Sequence, residues 1–145
     1  MAKKTLRTLI GASLLAAASL VQAEETRVVA ITQIVEHPAL DAAHEGIKDE
    51  LAERGYRVGE NLRLMHESAQ GNSAIASQIA RKFVGESPDV IVAIATPSAQ
   101  TVAAAARNIP VVFSAVTDPV AAKLVQSLEA PGANITGVSD MLPIE

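Results

Sequence analysis

Short β-branched runs and helical apolar stripes alternate along this sequence, and that alternation constrains the fold more than any other feature. Arg27 to Ile34 (Arg-Val-Val-Ala-Ile-Thr-Gln-Ile) is the first run, and Pro38 to Arg54 follows with Leu40, Ala43, Ile47 and Leu51 on one helical face. Gly55 stands where a left-handed residue ends a helix. Leu62 to His66 reads as a second strand, and Asn72 opens a helix with Ile75, Ile79 and Phe83 aligned. Val90 to Ala95 is continuously apolar, as a strand covered on both faces should be. Ser98 to Arg107 then predicts a helix, Val111 to Ala115 a strand, and Val120 to Leu128 a helix with Val120, Leu124 and Leu128 inward. Pro131-Gly132 breaks that helix before a fifth strand, Ile135 to Val138. Repeated β-α units with short connections predict an α/β fold, a doubly wound parallel sheet.

Residues 1–23 stand outside this pattern. Met1 to Thr8 carries Lys3, Lys4 and Arg7 with no acid, and Leu9 to Val21 is uncharged. Val21-Gln22-Ala23 places β-branched and small residues at the −3 and −1 sites, and Glu24-Glu25 restore charge at once. This is the order of a secretory signal peptide. As a helix the uncharged stretch spans about 20 Å, short of the ~30 Å hydrocarbon core, so cleavage after Ala23 is expected rather than a membrane anchor. Without any cysteine the mature chain has no site for an N-terminal lipid, no disulfide and no thiolate metal ligand. A diffusible periplasmic protein is the expectation.

Charge and aromatic content exclude further classes. The formal net charge is −4, and removing the basic leader makes the rest more acidic, which argues against a partner held by phosphate neutralisation. Tyr56, Phe83 and Phe113 are the only aromatic residues, too few for a base-stacking platform. No nucleic-acid partner is expected.

The chemistry gathers at three strand-to-helix junctions. The first run ends in Gln33-Ile34-Val35-Glu36-His37-Pro38, the third in Ala95-Thr96-Pro97-Ser98 and the fourth in Val116-Thr117-Asp118-Pro119. Each offers a residue able to cap a helix, followed by a proline suited to the first helical position; His37 is the weakest of these caps. In a parallel sheet all three lie at the carboxyl edge, so helix N-termini converge there and favour an anion such as a ligand carboxylate. Thr96, Ser98 and Thr117 offer hydroxyls, and Asp118 an acceptor for an ammonium group. An α-amino acid carries both charges. Thr96 and Asp118 serve equally well as simple caps, whereas the Ser98 hydroxyl is not needed for one. His37 and His44 are seven apart and His66 is remote, a spacing that does not make a metal site. Glycine-rich nucleotide motifs and a Gly-x-Ser-x-Gly elbow are missing, and Asp118 has no Lys or His partner for acid–base work, so neither a cofactor nor an enzyme is expected.

His37-Pro38-Ala39-Leu40-Asp41, Ala95-Thr96-Pro97-Ser98-Ala99-Gln100, Ile109-Pro110-Val111-Val112-Phe113, Asp118-Pro119-Val120 and Asn134-Ile135-Thr136-Gly137-Val138-Ser139-Asp140 resemble the substrate-binding proteins of ABC transporters, of the ABC_sub_bind type. The similarity runs from about Val28 to the last residue. It implies a type I periplasmic-binding lobe, flavodoxin-like with three αβα layers, within a two-lobed protein that closes on an amino acid, aromatic ones among them. The implied partner is an ABC permease in the inner membrane. Carried over by matching motif, Gln33, His37, Thr96, Ser98, Ala99, Thr117, Asp118, Ser139 and Asp140 line the ligand. Residues 24–145 are expected to be the first lobe, the second being absent from this chain. The alternative to a transport role is a sensing module that delivers the same ligand to a membrane receptor.

Overall fold

The computed structural model describes residues 25–140, so the expected signal peptide lies outside the described residues. The elements run β1 (Arg27–Gln33), α1 (Pro38–Glu53), β2 (Leu62–Ser68), α2 (Ser73–Gly85), β3 (Val90–Ile94), α3 (Thr96–Ala105), β4 (Val111–Val116) and β5 (Ile135–Ser139). All strand pairs are parallel, in the order β2-β1-β3-β4-β5. The doubly wound α/β sheet expected from the alternating pattern is the fold.

Side chains alternate across each strand and so divide the core in two. Val29, Ile31, Leu62, Val92 and Ile94 face α1, whose stripe Leu40, Ala43, Ile47 and Leu51 packs on them half-buried. Ala30, Ile91, Ala93, Val111 and Phe113 face α2 and α3, where Ile79, Phe83, Ala99 and Val102 are buried. Alanines dominate the second layer, which lets α2 and α3 lie close against the sheet and each other. The opposite face of β5 is open, and Val138 is 68% exposed.

Helix ends follow local chemistry. Asn72 Oδ1 accepts from the N–H groups of Ala74 (2.8 Å) and Ile75 (3.1 Å), an N-cap as expected. At the end of α1, Gly55 adopts φ 91° and its N–H donates to Ala52 O, while Tyr56 N–H donates to Leu51 O. These two bonds form a Schellman motif, which satisfies carbonyls the helix leaves unpaired.

Two expectations need correction. Residues 120–128 form turns, not a helix. Asp118 starts a helical turn, but Leu124 N–H and Val125 N–H both return to Pro119 O, and Lys123 enters the left-handed region at φ 60°. That turn sends Leu124 and Val125 into the core and leaves Val120 and Leu128 exposed. Thr96 does not cap α3: it already lies in the first turn, and Ala95 occupies the cap position with no capping side chain.

Candidate functional site

From β1 the chain crosses to β2 on one side, then returns past β1 to β3 and continues outward to β4 and β5. With right-handed crossovers this places α1 on one face and α2 and α3 on the other. The loops leaving β1 and β3 therefore part at their adjacent carboxyl ends. That is the topological switch point, where open α/β sheets bind ligands. Across this edge Gln33 pairs with Ser68 on one side and Ile94 on the other, and Ile94 pairs with Ser114. Past a bulge between Phe113 and Val116, Val116 pairs with Ser139.

The carboxyl edge gathers all three predicted junctions, and each contributes differently. In the first, His37 is exposed and its Nδ1 accepts from Ala39 N–H (3.2 Å), so the ring expected to be the weakest cap does cap α1. In its neutral form the outward Nε2 then carries the proton. Gln33 is fully buried, and its amide meets the Val35 carbonyl (3.1 Å), Asp41 Oδ1 (2.7 Å) and His66 Nε2 (3.2 Å).

In the second junction Ala95 holds φ 74° and ψ 154°, a region that costs a residue with a Cβ about 1–3 kcal/mol. Thr96 is half-buried, and Ser98 and Ala99 are fully buried. Among the described residues the Ser98 hydroxyl has no hydrogen-bond partner, nor has that of buried Thr32 in β1. A groove of about 470 Å³ between α2 and α3, lined by Ser73, Ser77, Arg81, Pro97, Gln100 and Thr101 among others, does not include Thr96, Ser98 or Asp118.

In the third junction Asp118 Oδ1 accepts from Val120 N–H (3.1 Å) and Ala121 N–H (2.9 Å), leaving Oδ2 for another donor. Thr117 is exposed and its carbonyl accepts from Ser139 Oγ (3.0 Å), which ties β5 to this loop. Asp140 is exposed one residue beyond β5, and its N–H donates to Val116 O.

Sequence reasoning missed the strained backbone at Ala95, where a glycine is the usual signal. It also missed a pair of stacked imidazoles: the ring centroids of His44 of α1 and His66 of β2 lie 3.9 Å apart, with 13° between their planes. Burial first, then the neighbouring His66, hold His44 below the usual histidine range. The two residues come together only through the β1–β2 register, which spacing along the chain does not reveal.

A hydroxyl buried without a partner costs stability. Ser98→Ala is expected to raise stability by about 1 kcal/mol, a rise of several degrees in Tm by calorimetry. A fall of the same size would show that the hydroxyl is satisfied within the folded chain.

The family profile described as ABC transporter substrate binding protein matches residues 28–145. The chain belongs to that family. A tyrosine-binding protein of Clostridioides difficile (strain R20291) is 46% identical over 117 residues, which cover 81% of this chain and 34% of that protein. A conserved domain protein from Vibrio cholerae has a crystal structure 60% identical with a TM-score of 0.81, covering 82% of this chain and 40% of that one. A domain from Streptococcus pneumonia in complex with L-Trp is 38% identical with a TM-score of 0.77, covering 81% of this chain and 39% of that one. The chain thus spans 34–40% of the length of these relatives. Among the described residues no helix is long and apolar enough to cross a membrane.

Proposed function

We propose that this chain is the first lobe of a periplasmic solute-binding protein that presents an aromatic amino acid to an ABC permease. The observation that carries the reading is the topological switch point at the adjacent β1 and β3 ends, in a chain whose relatives include a tyrosine-binding protein and an L-Trp complex. The ligand carboxylate approaches the first turn of α3, which carries no side-chain cap, with its N–H groups and positive dipole end available. The ammonium group reaches Asp118 Oδ2. Thr96, Thr117 and His37 add polar contacts at the rim, and Ser98 supplies a hydroxyl whose bonding the protein leaves incomplete. Phe113 is buried in the core, so the surface that stacks on an aromatic side chain comes from the facing lobe. Export follows cleavage after Ala23, which delivers the chain to the periplasm without a lipid anchor.

Nuclear magnetic resonance titration of this chain with each of the twenty amino acids tests the reading. At equal, about millimolar concentration, L-tyrosine and L-tryptophan should shift more amide resonances, and further, than aliphatic or acidic amino acids. Equal responses to all of them, or none to the aromatic pair, would remove it.

A further inference from the structure

We propose that Gln33, Asp41 and His66 form a positioning unit that holds the β1–α1 wall of the crevice in place, and that the His44–His66 stack loosens this hold in acid. The meaning of this device for binding rests on the ligand-crevice reading above, whereas its existence does not need a ligand.

Gln33 is the last residue of β1, and its side-chain amide is fully engaged. The Val35 carbonyl and the Asp41 carboxylate are both acceptors, so the NH₂ group faces them and Oε1 is left to accept from His66 Nε2–H. A buried amide that loses one of these partners keeps an unsatisfied atom away from water, so the three bonds form and break together. Through Val35 they fix the loop that leads from β1 to the His37 cap. The same loop is braced by Gly71 N–H to Ile34 O (2.7 Å) and Gln70 Nε2 to Glu36 Oε1 (3.1 Å). Gln33 thus ties the wall to β2 and α1 from within, while the loop after β2 ties it from outside.

The stack bears on this unit directly, because His66 is both a ring of the stack and a donor to Gln33. The charged groups near His44 are Asp41, Glu45 and Lys48 of α1 and His66 of β2. Glu45 lies 3.5 Å from His44 Nδ1 but is bound more closely by Lys48 at 2.9 Å. Among the described residues His44 Nε2 is buried without a partner. Burial and the His66 ring 3.9 Å away both disfavour a cation on His44, which finds little compensation there. His44 therefore takes a proton more readily when the stack is open than when it is closed. A group whose pKa is lowered in the closed form removes stability from that form as pH falls below the open-state value of about 6.5. As the stack parts, His66 leaves Gln33 Oε1 and the wall loosens.

The experiment follows hydrogen exchange of the Gln33 side-chain amide and the Gly71 backbone amide in the full chain by nuclear magnetic resonance. Exchange is measured near pH 7.5 and near pH 5, on either side of histidine titration. Protection of the Gln33 side-chain amide is referred to the exposed Gln78 side-chain amide, and that of Gly71 to the intrinsic rate of an unstructured backbone amide at the same pH. Both probes should lose about tenfold protection in acid, a local opening rather than global unfolding, with the β3 amides unchanged. His44→Gln should abolish that loss, and Gln33→Met should deprotect Gly71 equally at both pH values. Unchanged protection in acid, or an equal loss in His44→Gln, would overturn the proposal. Should Gln33→Met not fold, the His44→Gln comparison decides alone. No amino acid is present, so failure here leaves the ligand reading standing, and failure of L-tyrosine to bind leaves this result standing.

Discussion

Titration calorimetry of the 145-residue chain with L-tyrosine or L-tryptophan should give a Kd of about 1 mM or no measurable heat, against about 1 μM expected of a two-lobed relative. A two-lobed binder encloses a small ligand by hinge closure, and excluding water strengthens each polar contact. A single carboxyl edge covers one side only. The carboxylate at the start of α3 then gains the ~0.3–1 kcal/mol of an exposed helix-dipole contact rather than that of a buried one. A micromolar complex is worth about −8 kcal/mol, so losing half of its contacts leaves about −4 kcal/mol, which is millimolar. Because Phe113 is buried within the core, this chain should also contribute little to stacking on an aromatic side chain. Comparable micromolar affinity in both proteins would mean that the crevice described here is complete by itself.

Gly137→Val should be the most damaging single substitution at the sheet edge. Gly137 of β5 lies opposite Phe113 of β4, and a Cβ added there would sit 2.2 Å from Phe113 O and 2.5 Å from its ring. The carbonyl belongs to the sheet and the ring is buried, so neither can yield; β5 must move instead. Even alanine is expected to cost about 1–3 kcal/mol, and valine more, measured by urea unfolding. Displacing β5 also exposes Ile135 and breaks the Ser139–Thr117 and Asp140–Val116 hydrogen bonds, so the third junction frays with it. Gly46, in α1, has nothing within 4 Å of an added Cβ, and Gly46→Ala should stabilise by about 0.5–1 kcal/mol. A change of less than about 0.5 kcal/mol in Gly137→Val would mean that β5 is not held against Phe113.

The strands were legible because each is a compact β-branched or apolar run. Two helices were legible from their caps and stripes: Asn72 caps α2, Gly55 ends α1, and Ile79 and Phe83 point inward as their spacing requires, although Ile75 of the same stripe stays exposed. The region after Asp118 shows where such reasoning stops. Val120, Leu124 and Leu128 fit a helical period, yet a left-handed Lys123 redirects the chain so that Val125 replaces Leu128 in the core. Nothing in a lysine codon signals that turn; it follows from Pro119 O receiving two N–H groups and from the core available beneath β4.

At the site, the junctions were readable because a proline just after a polar residue marks a helix start, whatever else surrounds it. The roles within them were not. His37 caps although histidine caps poorly, Thr96 does not cap although threonine does so well, and Ala95 takes a conformation that alanine disfavours. These outcomes depend on how β3 and β4 end side by side, with Ala95 N–H bound to Ser114 O. Gln33 was read as lining the ligand; the bonds of its amide to Val35, Asp41 and His66 link β1 to α1 and β2 and had no signal in the sequence. The histidine stack depends on β-strand register, and register is a tertiary property.

The central claim is that the carboxyl edge at the β1–β3 switch point forms one wall of an aromatic amino-acid site. The L-tyrosine titration, read residue by residue from the amide resonances of this chain, tests it most directly. The account predicts saturable shifts concentrated at Ile34–His37, Ala95–Ala99 and Thr117–Asp118, with the amino edge around Arg27, Tyr56 and Asp89 unmoved. Shifts confined to the groove between α2 and α3, or to that amino edge, would contradict it.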